Sequence, residues 1–232
     1  MVSAHVQSSK KPPVLLWAGL FGAPLFVASL LYFGSLNPDY RHATRAVSRL
    51  GGLGAPGFVG FDIFGLLIPG LIIAGVGVEL RRAELGVGAS SRSSIGLVVF
   101  GFTQALTAVP ADFQRMFHSP WTWIHAFFVT APIALLFAVL PGCYRSMRRL
   151  GATRVNGGVF LLLGFLPVAE FLLYTLFPGK PGLVQRLMIL TIHVTIAWLS
   201  YFLLGVRERS STQPSGMAGT HSRARSINSS HD

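Results

Sequence analysis

The sequence has few charged residues for its length. Only 12% of its 232 residues are Asp, Glu, Lys or Arg, whereas 51% are hydrophobic, and the mean hydropathy is +0.57. A water-soluble domain carries about 25% charged residues, so this supply is too small to cover a globule of this size. The composition therefore disfavours a soluble enzyme, a disordered chain and a nucleic-acid-binding domain.

Acidic residues and cysteine are also scarce. There are 8 Asp and Glu against 19 Lys and Arg, which gives a net charge of +11. In a soluble protein this balance would suggest nucleic acid. Here the basic residues stand at the ends of apolar runs, where membrane-orientation signals belong, so no nucleic-acid partner is expected. The single cysteine, Cys143, excludes an internal disulfide and a cysteine-based zinc site.

Long apolar runs are what the sequence does contain, and they predict an all-α, polytopic bundle of six transmembrane helices. The runs cover residues 13–36, 58–80, 94–109, 121–140, 157–177 and 187–206. About 20 helical residues cross a hydrocarbon core of roughly 30 Å. Residues 1–12 are predicted to form a polar lead and 13–206 the transmembrane domain. Residues 207–232, rich in Ser, Arg and Gly, are predicted to form a disordered tail.

The basic residues predict the orientation of this bundle. Thirteen of the 19 Lys and Arg fall on the side that also carries both termini. The positive-inside rule places that side in the cytoplasm. We therefore expect a multi-pass protein of the cell's inner (cytoplasmic) membrane, with both termini cytoplasmic and with membrane lipids as partners.

Polar residues are concentrated in the half of the spans that faces the opposite, outer side. Helix rise places Glu170 and His193 at matching depths, each about 10 Å below the outer boundary. Ionisable residues within a span are expensive, and they are functional candidates by default. We predict an outward-facing pocket for a small molecule or a lipid head group, in a protein with a sensory, accessory or transport-associated role. Its residues would be Asp62, Gln104, His125, Glu170, Arg186 and His193.

Two other interpretations remain open for these residues. In the first, they form pairs that hold helices together, such as Glu170 with His193 or with Arg186. Alternatively, Asp112, His118 and His125 are residue types that bind zinc. With His193 they would make an intramembrane metal-dependent lipid hydrolase, in which the metal activates a bound water. Because the spacing of these ligands is irregular, a non-enzymatic protein without a cofactor is the leading expectation.

Several short stretches together resemble a known family. Residues 46–51 (AVSRLG) follow the first run and Pro110-Ala-Asp112 ends the third. Ile124-His125 lies at the start of the fourth, and residues 182–187 (GLVQRL) begin the sixth. Over residues 14–206 the chain resembles the bacterial six-helix membrane family called domain of unknown function 998, which implies no biochemical activity. Arg49 replaces an acid of the family's first motif, so a role that needs this acid is not supported. The characteristic positions that the resemblance implies are Ser48, Gly51, Pro110, Asp112, His125, Gln185 and Arg186.

Overall fold

The computed structural model describes residues 12–89, 92–115, 118–176 and 179–212, and over these ranges it contains helices and no strands. The predicted lead, apart from residue 12, and most of the predicted tail lie outside the described residues. The helices within them are α1 (Val14–Ser35), α2 (Phe58–Gly86), α3 (Arg92–Ala105), α4 (Pro120–Arg149), α5 (Arg154–Leu176) and α6 (Pro181–Thr212). A π-helical segment, Asp62–Leu67, lies inside α2, and short 3-10 turns occupy Val47–Arg49 and Leu106–Ala108.

Five of these helices are long and apolar enough to cross a membrane. The exception is α3, which has 14 residues and therefore measures about 21 Å. The predicted third run, 94–109, is thus wrong at its end, because the helix stops at Ala105 and a 3-10 turn follows. In contrast, α6 begins at Pro181 and continues to Thr212. Residues 207–212 are therefore helical, because a charged residue ends the apolar run but does not end a helix.

Helices that are neighbours in sequence pack side by side and antiparallel, and α6 packs against both α5 and α1. For example, Gly19 of α1 lies beside Ser200 of α6, and Gly22 lies beside His193. This alternation gives the bundle two distinct ends. We call the end that carries residues 36–57, 109–115 and 179–180 the long-loop end. The opposite, terminal end carries the start of α1 and the end of α6.

The closest helix pair is α2 with α3. A Cβ atom placed on Gly101 would lie 2.2 Å from the backbone nitrogen of Ala74, and one on Gly70 would lie 2.3 Å from that of Ala105. Gly77 approaches the backbone of Val98 in the same way. Small residues allow such backbone contact, and here they hold α3 antiparallel to α2 along its whole length.

Two buried apolar clusters fill the bundle. The larger one, around Ile73, Phe100 and Leu199, joins all six helices in the terminal half. The smaller one lies at the long-loop end, where Val47 and Leu50 of the first loop pack among residues of α1, α2 and α6. Both loop residues are about 1% exposed. The loop is therefore anchored in the bundle, and this anchoring positions the site described next.

Candidate functional site

The first loop is tied to the beginning of α6 by four hydrogen bonds, one of which joins Arg186 to the Tyr40 hydroxyl. The backbone N–H of Leu183 donates to the carbonyl of Ala43 (3.0 Å), and the Arg186 guanidinium donates to the carbonyl of Arg45 (3.1 Å). The N–H of Val47 donates to Oε1 of Gln185 (2.7 Å). Because Gln185 accepts through its oxygen, its NH2 group remains as a donor at this end of the bundle.

Beside this junction lies a small cavity of about 30 Å³, which is room for one or two water molecules. Five parts of the chain form it: the first loop, α2, the end of α3 with its 3-10 turn, α4 and α6. The lining is mixed, with apolar side chains as well as hydroxyl, amide and imidazole groups. The lining residues with polar side chains are Ser48, Gln104, Thr107, His125 and Gln185.

His125 is the ionisable group of this lining. It lies in the second turn of α4 and is 7% exposed. Its Nδ1 lies 2.7 Å from the carbonyl oxygen of Val109. A carbonyl only accepts, so Nδ1 carries the proton and Nε2 of the neutral ring is an acceptor. Nε2 is buried and has no hydrogen-bond partner among the described residues.

Gln104 and Thr107 are the lining residues supplied by the end of α3 and its 3-10 turn. Thr107 satisfies its hydroxyl locally by donating to the Gln104 carbonyl (2.6 Å), which closes the end of α3. The Gln104 side chain is 8% exposed and makes no hydrogen bond to another described residue. A primary amide has two donors and an acceptor. The cavity therefore places an unused amide and an unused imidazole acceptor on the same lining.

Of the six residues predicted to form a ligand pocket, the structure brings Gln104 and His125 together on this cavity. Asp62 lies outside the lining, in the π-helical segment of α2, and is 7% exposed. Its Oδ1 has no hydrogen-bond partner in the part of the chain that the structure describes, and it lies where a side chain on Gly51 would begin, 2.0 Å from the ideal Cβ position. Gly51 is therefore required to make space for the carboxylate.

Glu170 and His193 also lie elsewhere, and they do not pair with each other. Glu170 accepts a hydrogen bond from Thr191 (3.0 Å) between α5 and α6. His193 is 2% exposed and stacks against Phe26 of α1, with ring centroids 5.8 Å apart. The two residues therefore face different neighbouring helices. The helix-holding interpretation names the wrong partners for them, since the contacts are with Thr191 and Phe26.

Arg186, the remaining predicted residue, is not part of the cavity lining. It lies at the junction between the first loop and the beginning of α6. One of its NH2 groups donates to the Tyr40 hydroxyl, and the guanidinium lies 5.3 Å from the centre of the Tyr40 ring. Burial raises the pKa of Tyr40, and the positive charge of Arg186 partly offsets this. Burial, and then the same charge, lower the pKa of His42.

The predicted metal ligands are divided between two places. Asp112 and His118 share a surface depression with Pro120 and Trp121, whereas His125 faces the cavity. Oδ1 of Asp112 accepts the backbone N–H groups of Gln114 (3.2 Å) and Arg115 (3.1 Å) and so shapes its own loop. Within the part of the chain that the structure describes, no three His, Cys, Asp or Glu side chains come close enough to hold a metal ion.

One buried polar cluster escaped the sequence reasoning. Glu84 of α2, 1% exposed, accepts a hydrogen bond from Ser94 (2.7 Å) and another from Ser146, and it thereby joins α2, α3 and α4 near the terminal end. Glu84 lies four residues beyond the predicted end of the second apolar run at residue 80. The helical spacing of Glu84 from Leu80, which is fully buried, is the signal that places it inside.

The comparisons with known proteins identify a family without an assigned activity. Searches of the curated proteins and of the solved structures gave no match for this chain. The model of the family described as "protein of unknown function (DUF998)" matches residues 20–201, which include at least part of each of the six helices and the whole cavity lining. Together with several long apolar helices, this match makes the chain an integral, multi-pass membrane protein that belongs to the DUF998 family.

Proposed function

We propose that this protein spans the membrane six times with both termini in the cytoplasm, and that its long-loop end binds a small polar molecule or a lipid head group. The binding residues are Gln104, Thr107, His125 and Gln185 of the cavity. Such a protein would act in sensing, as an accessory subunit or in association with transport. No chemical step is part of this proposal.

The helix arrangement supports the sixth span. Although α3 is short, its backbone touches α2 from Gly70 to Gly77, and Glu84 continues the contact through Ser94. A helix packed along a membrane helix over this length shares its depth. With six antiparallel spans both termini lie on one side, and the basic-residue excess lies on that side too.

The observation that carries the binding proposal is the unpartnered Nε2 of His125. A buried polar atom without a partner costs about 1–3 kcal/mol, so retaining one beside a polar cavity favours an occupant that donates a hydrogen bond. The Gln104 amide, also unused, can accept from or donate to the same occupant. Among the described lining residues there is no carboxylate, Lys or Arg. The chemistry therefore favours a neutral hydroxyl or amide group.

The size of the cavity limits what enters it. About 30 Å³ accommodates a single hydroxyl or amide group rather than a whole metabolite. The occupant is thus the polar end of a molecule whose remainder lies outside the lining. A hydroxyl-bearing lipid head group has this form, as does a small alcohol or amide.

A titration that follows His125 tests the proposal. The detergent-solubilised protein, labelled with ¹⁵N-histidine, is titrated with a short-chain monoacylglycerol, and the chemical shift of His125 Nε2 is recorded. We expect a saturable shift in the wild type and in Gln114→Leu, an exposed matched control. In Gln104→Leu we expect the apparent affinity to fall about five- to tenfold, the equivalent of one hydrogen bond.

Gln104→Leu is an informative variant because the Gln104 side chain makes no hydrogen bond to another described residue. The substitution therefore removes no hydrogen bond that stabilises the fold among these residues. Its unfolding stability should stay within about 1 kcal/mol of the wild type. A Nε2 resonance that does not respond to the monoacylglycerol or to acetamide would refute the proposal. Equal affinities for Gln104→Leu and Gln114→Leu would do the same.

A further inference from the structure

The Arg186 guanidinium is half-buried and has no carboxylate partner. Its hydrogen bonds to the Arg45 carbonyl and the Tyr40 hydroxyl use two of the five N–H donors of a guanidinium. Its Nε is buried without a partner, and no acid in the described ranges forms an ion pair with it. Half-burying a charge is expensive unless it is paired, so this environment favours the binding of an anion.

The surroundings of Arg186 add positive charge. Residues 36–57 contain one acid, Asp39, against three arginines. The side chains of Arg41 and Arg45, and that of Lys180 just before α6, are all exposed. These residues belong to the loop and the helix start that Arg186 joins, so the charge of these two segments is predominantly positive.

The same site borders apolar surface. Leu183 and Leu187, which flank Arg186 on α6, are each 45% exposed, and Leu36 at the end of α1 is 40% exposed. At the same end of the bundle, Trp121 and Trp123 at the start of α4 are more than half exposed. Exposed tryptophans typically mark the head-group level of a membrane. The guanidinium therefore lies where lipid phosphates lie, between water and acyl chains.

We propose that Arg186, with Arg41, Arg45 and Lys180 around it, binds the phosphate of a phospholipid whose acyl chains lie along Leu183 and Leu187. A guanidinium recognises phosphate through paired N–H···O bonds. The exposed leucines explain why the anion is a lipid phosphate rather than a free one. This site is separate from the cavity lining and does not depend on an occupant there.

Three probes distinguish recognition of a lipid phosphate from recognition of acyl chains alone and of free phosphate. The full-length protein in neutral detergent is titrated with dioctanoyl-phosphatidylglycerol, with dioctanoylglycerol, which lacks the phosphate, and with inorganic phosphate. Binding is followed by native mass spectrometry for the lipids and by competition for the phosphate. We expect saturable binding of the phospholipid, at least tenfold weaker binding of the diacylglycerol, and no competition by phosphate at millimolar concentration.

Variants locate the site. Arg186→Gln should weaken phospholipid binding at least tenfold. Arg45→Gln should weaken it about fivefold, the effect of one basic residue near a membrane surface. Arg115→Gln removes an exposed arginine in the other depression of the same end and should leave binding unchanged. Arg45→Gln keeps the backbone carbonyl that Arg186 uses, so it remains informative if Arg186→Gln fails to fold.

Three results would overturn the inference. Equal binding of the diacylglycerol would show that only the chains are recognised. Effective competition by inorganic phosphate would show a site for a free anion. Equal losses in Arg45→Gln and Arg115→Gln would show a general charge effect without a defined site.

Discussion

The contact between α2 and α3 yields a prediction with a magnitude that follows from the geometry. In Gly101→Ala the new Cβ atom would lie 2.2 Å from the Ala74 nitrogen and 2.6 Å from its Cα atom. Ordinary carbon contacts are about 3.5–4.0 Å, so the two backbones must separate locally by more than about 1 Å. Overpacking of this kind costs typically 1–3 kcal/mol. Because the obstacle is backbone rather than a flexible side chain, we expect the upper part of that range.

The matched control is Gly158→Ala in α5. No atom lies within 4 Å of a Cβ at Gly158, and alanine is the better helix former, so this change should be neutral or slightly stabilising. The measurement is reversible unfolding of the detergent-solubilised protein in increasing sodium dodecyl sulfate. Gly101→Ala should lower the free energy of unfolding by about 2–3 kcal/mol relative to Gly158→Ala.

A second glycine makes the test sharper. Gly70→Ala meets the Ala105 backbone at 2.3 Å and should cost a similar amount alone. Once one alanine has separated the helices, the other has space, so the double variant should lose less than the sum of the single losses. If Gly101→Ala is as stable as Gly158→Ala, or the double variant is additive, the close packing of α3 on α2 is refuted.

Further predictions concern Glu84 and His42. Glu84→Ala removes the acceptor of two serine hydroxyls and should lower the free energy of unfolding by at least about 2 kcal/mol. Glu79→Ala, which breaks a pair with the largely exposed Arg82, should change it by less than about 1 kcal/mol; equal losses would contradict the structural role of Glu84. The pKa of His42 is lowered by burial and by Arg186, so the folded state disfavours the protonated ring and stability falls as the pH drops through the ordinary histidine pKa. Arg186→Gln should raise the His42 pKa in an NMR titration, and an unchanged pKa would show that Arg186 does not act on it.

The apolar runs predicted which parts of the chain are helices because burial in lipid requires continuous apolar surface. They did not predict where helices end. Hydropathy falls at Arg207, yet α6 continues to Thr212, because backbone hydrogen bonding continues in water. Likewise α4 reaches Arg149, well past the predicted end at 140. Helix ends are set by capping and by the next turn, and neither depends on the membrane.

The sequence indicates how far along its helix each candidate residue lies, but not which neighbouring helix its side chain faces. Helix rise predicts how far along its helix each polar residue lies, but each residue also rotates about 100° around the axis, and packing decides which neighbour it faces. Glu170 and His193 therefore contact Thr191 and Phe26 rather than one another. Gln185 lines the cavity because α6 starts at Pro181, before the predicted span. Its position in a family motif was the available signal.

The two ends of the bundle differ in whether their buried polar groups have hydrogen-bond partners, and this difference indicates different roles. Within the described residues, the buried side-chain atoms without a hydrogen-bond partner are Asp62 Oδ1, His125 Nε2, Glu170 Oε2 and Arg186 Nε, and all four lie in the long-loop half. Glu84, near the terminal end, has serine partners on two other helices. A residue kept only to hold helices together gains most when fully partnered, as Glu84 is. Unpartnered groups instead reduce stability by about 1–3 kcal/mol each, so their concentration at one end favours binding as the reason they are kept there.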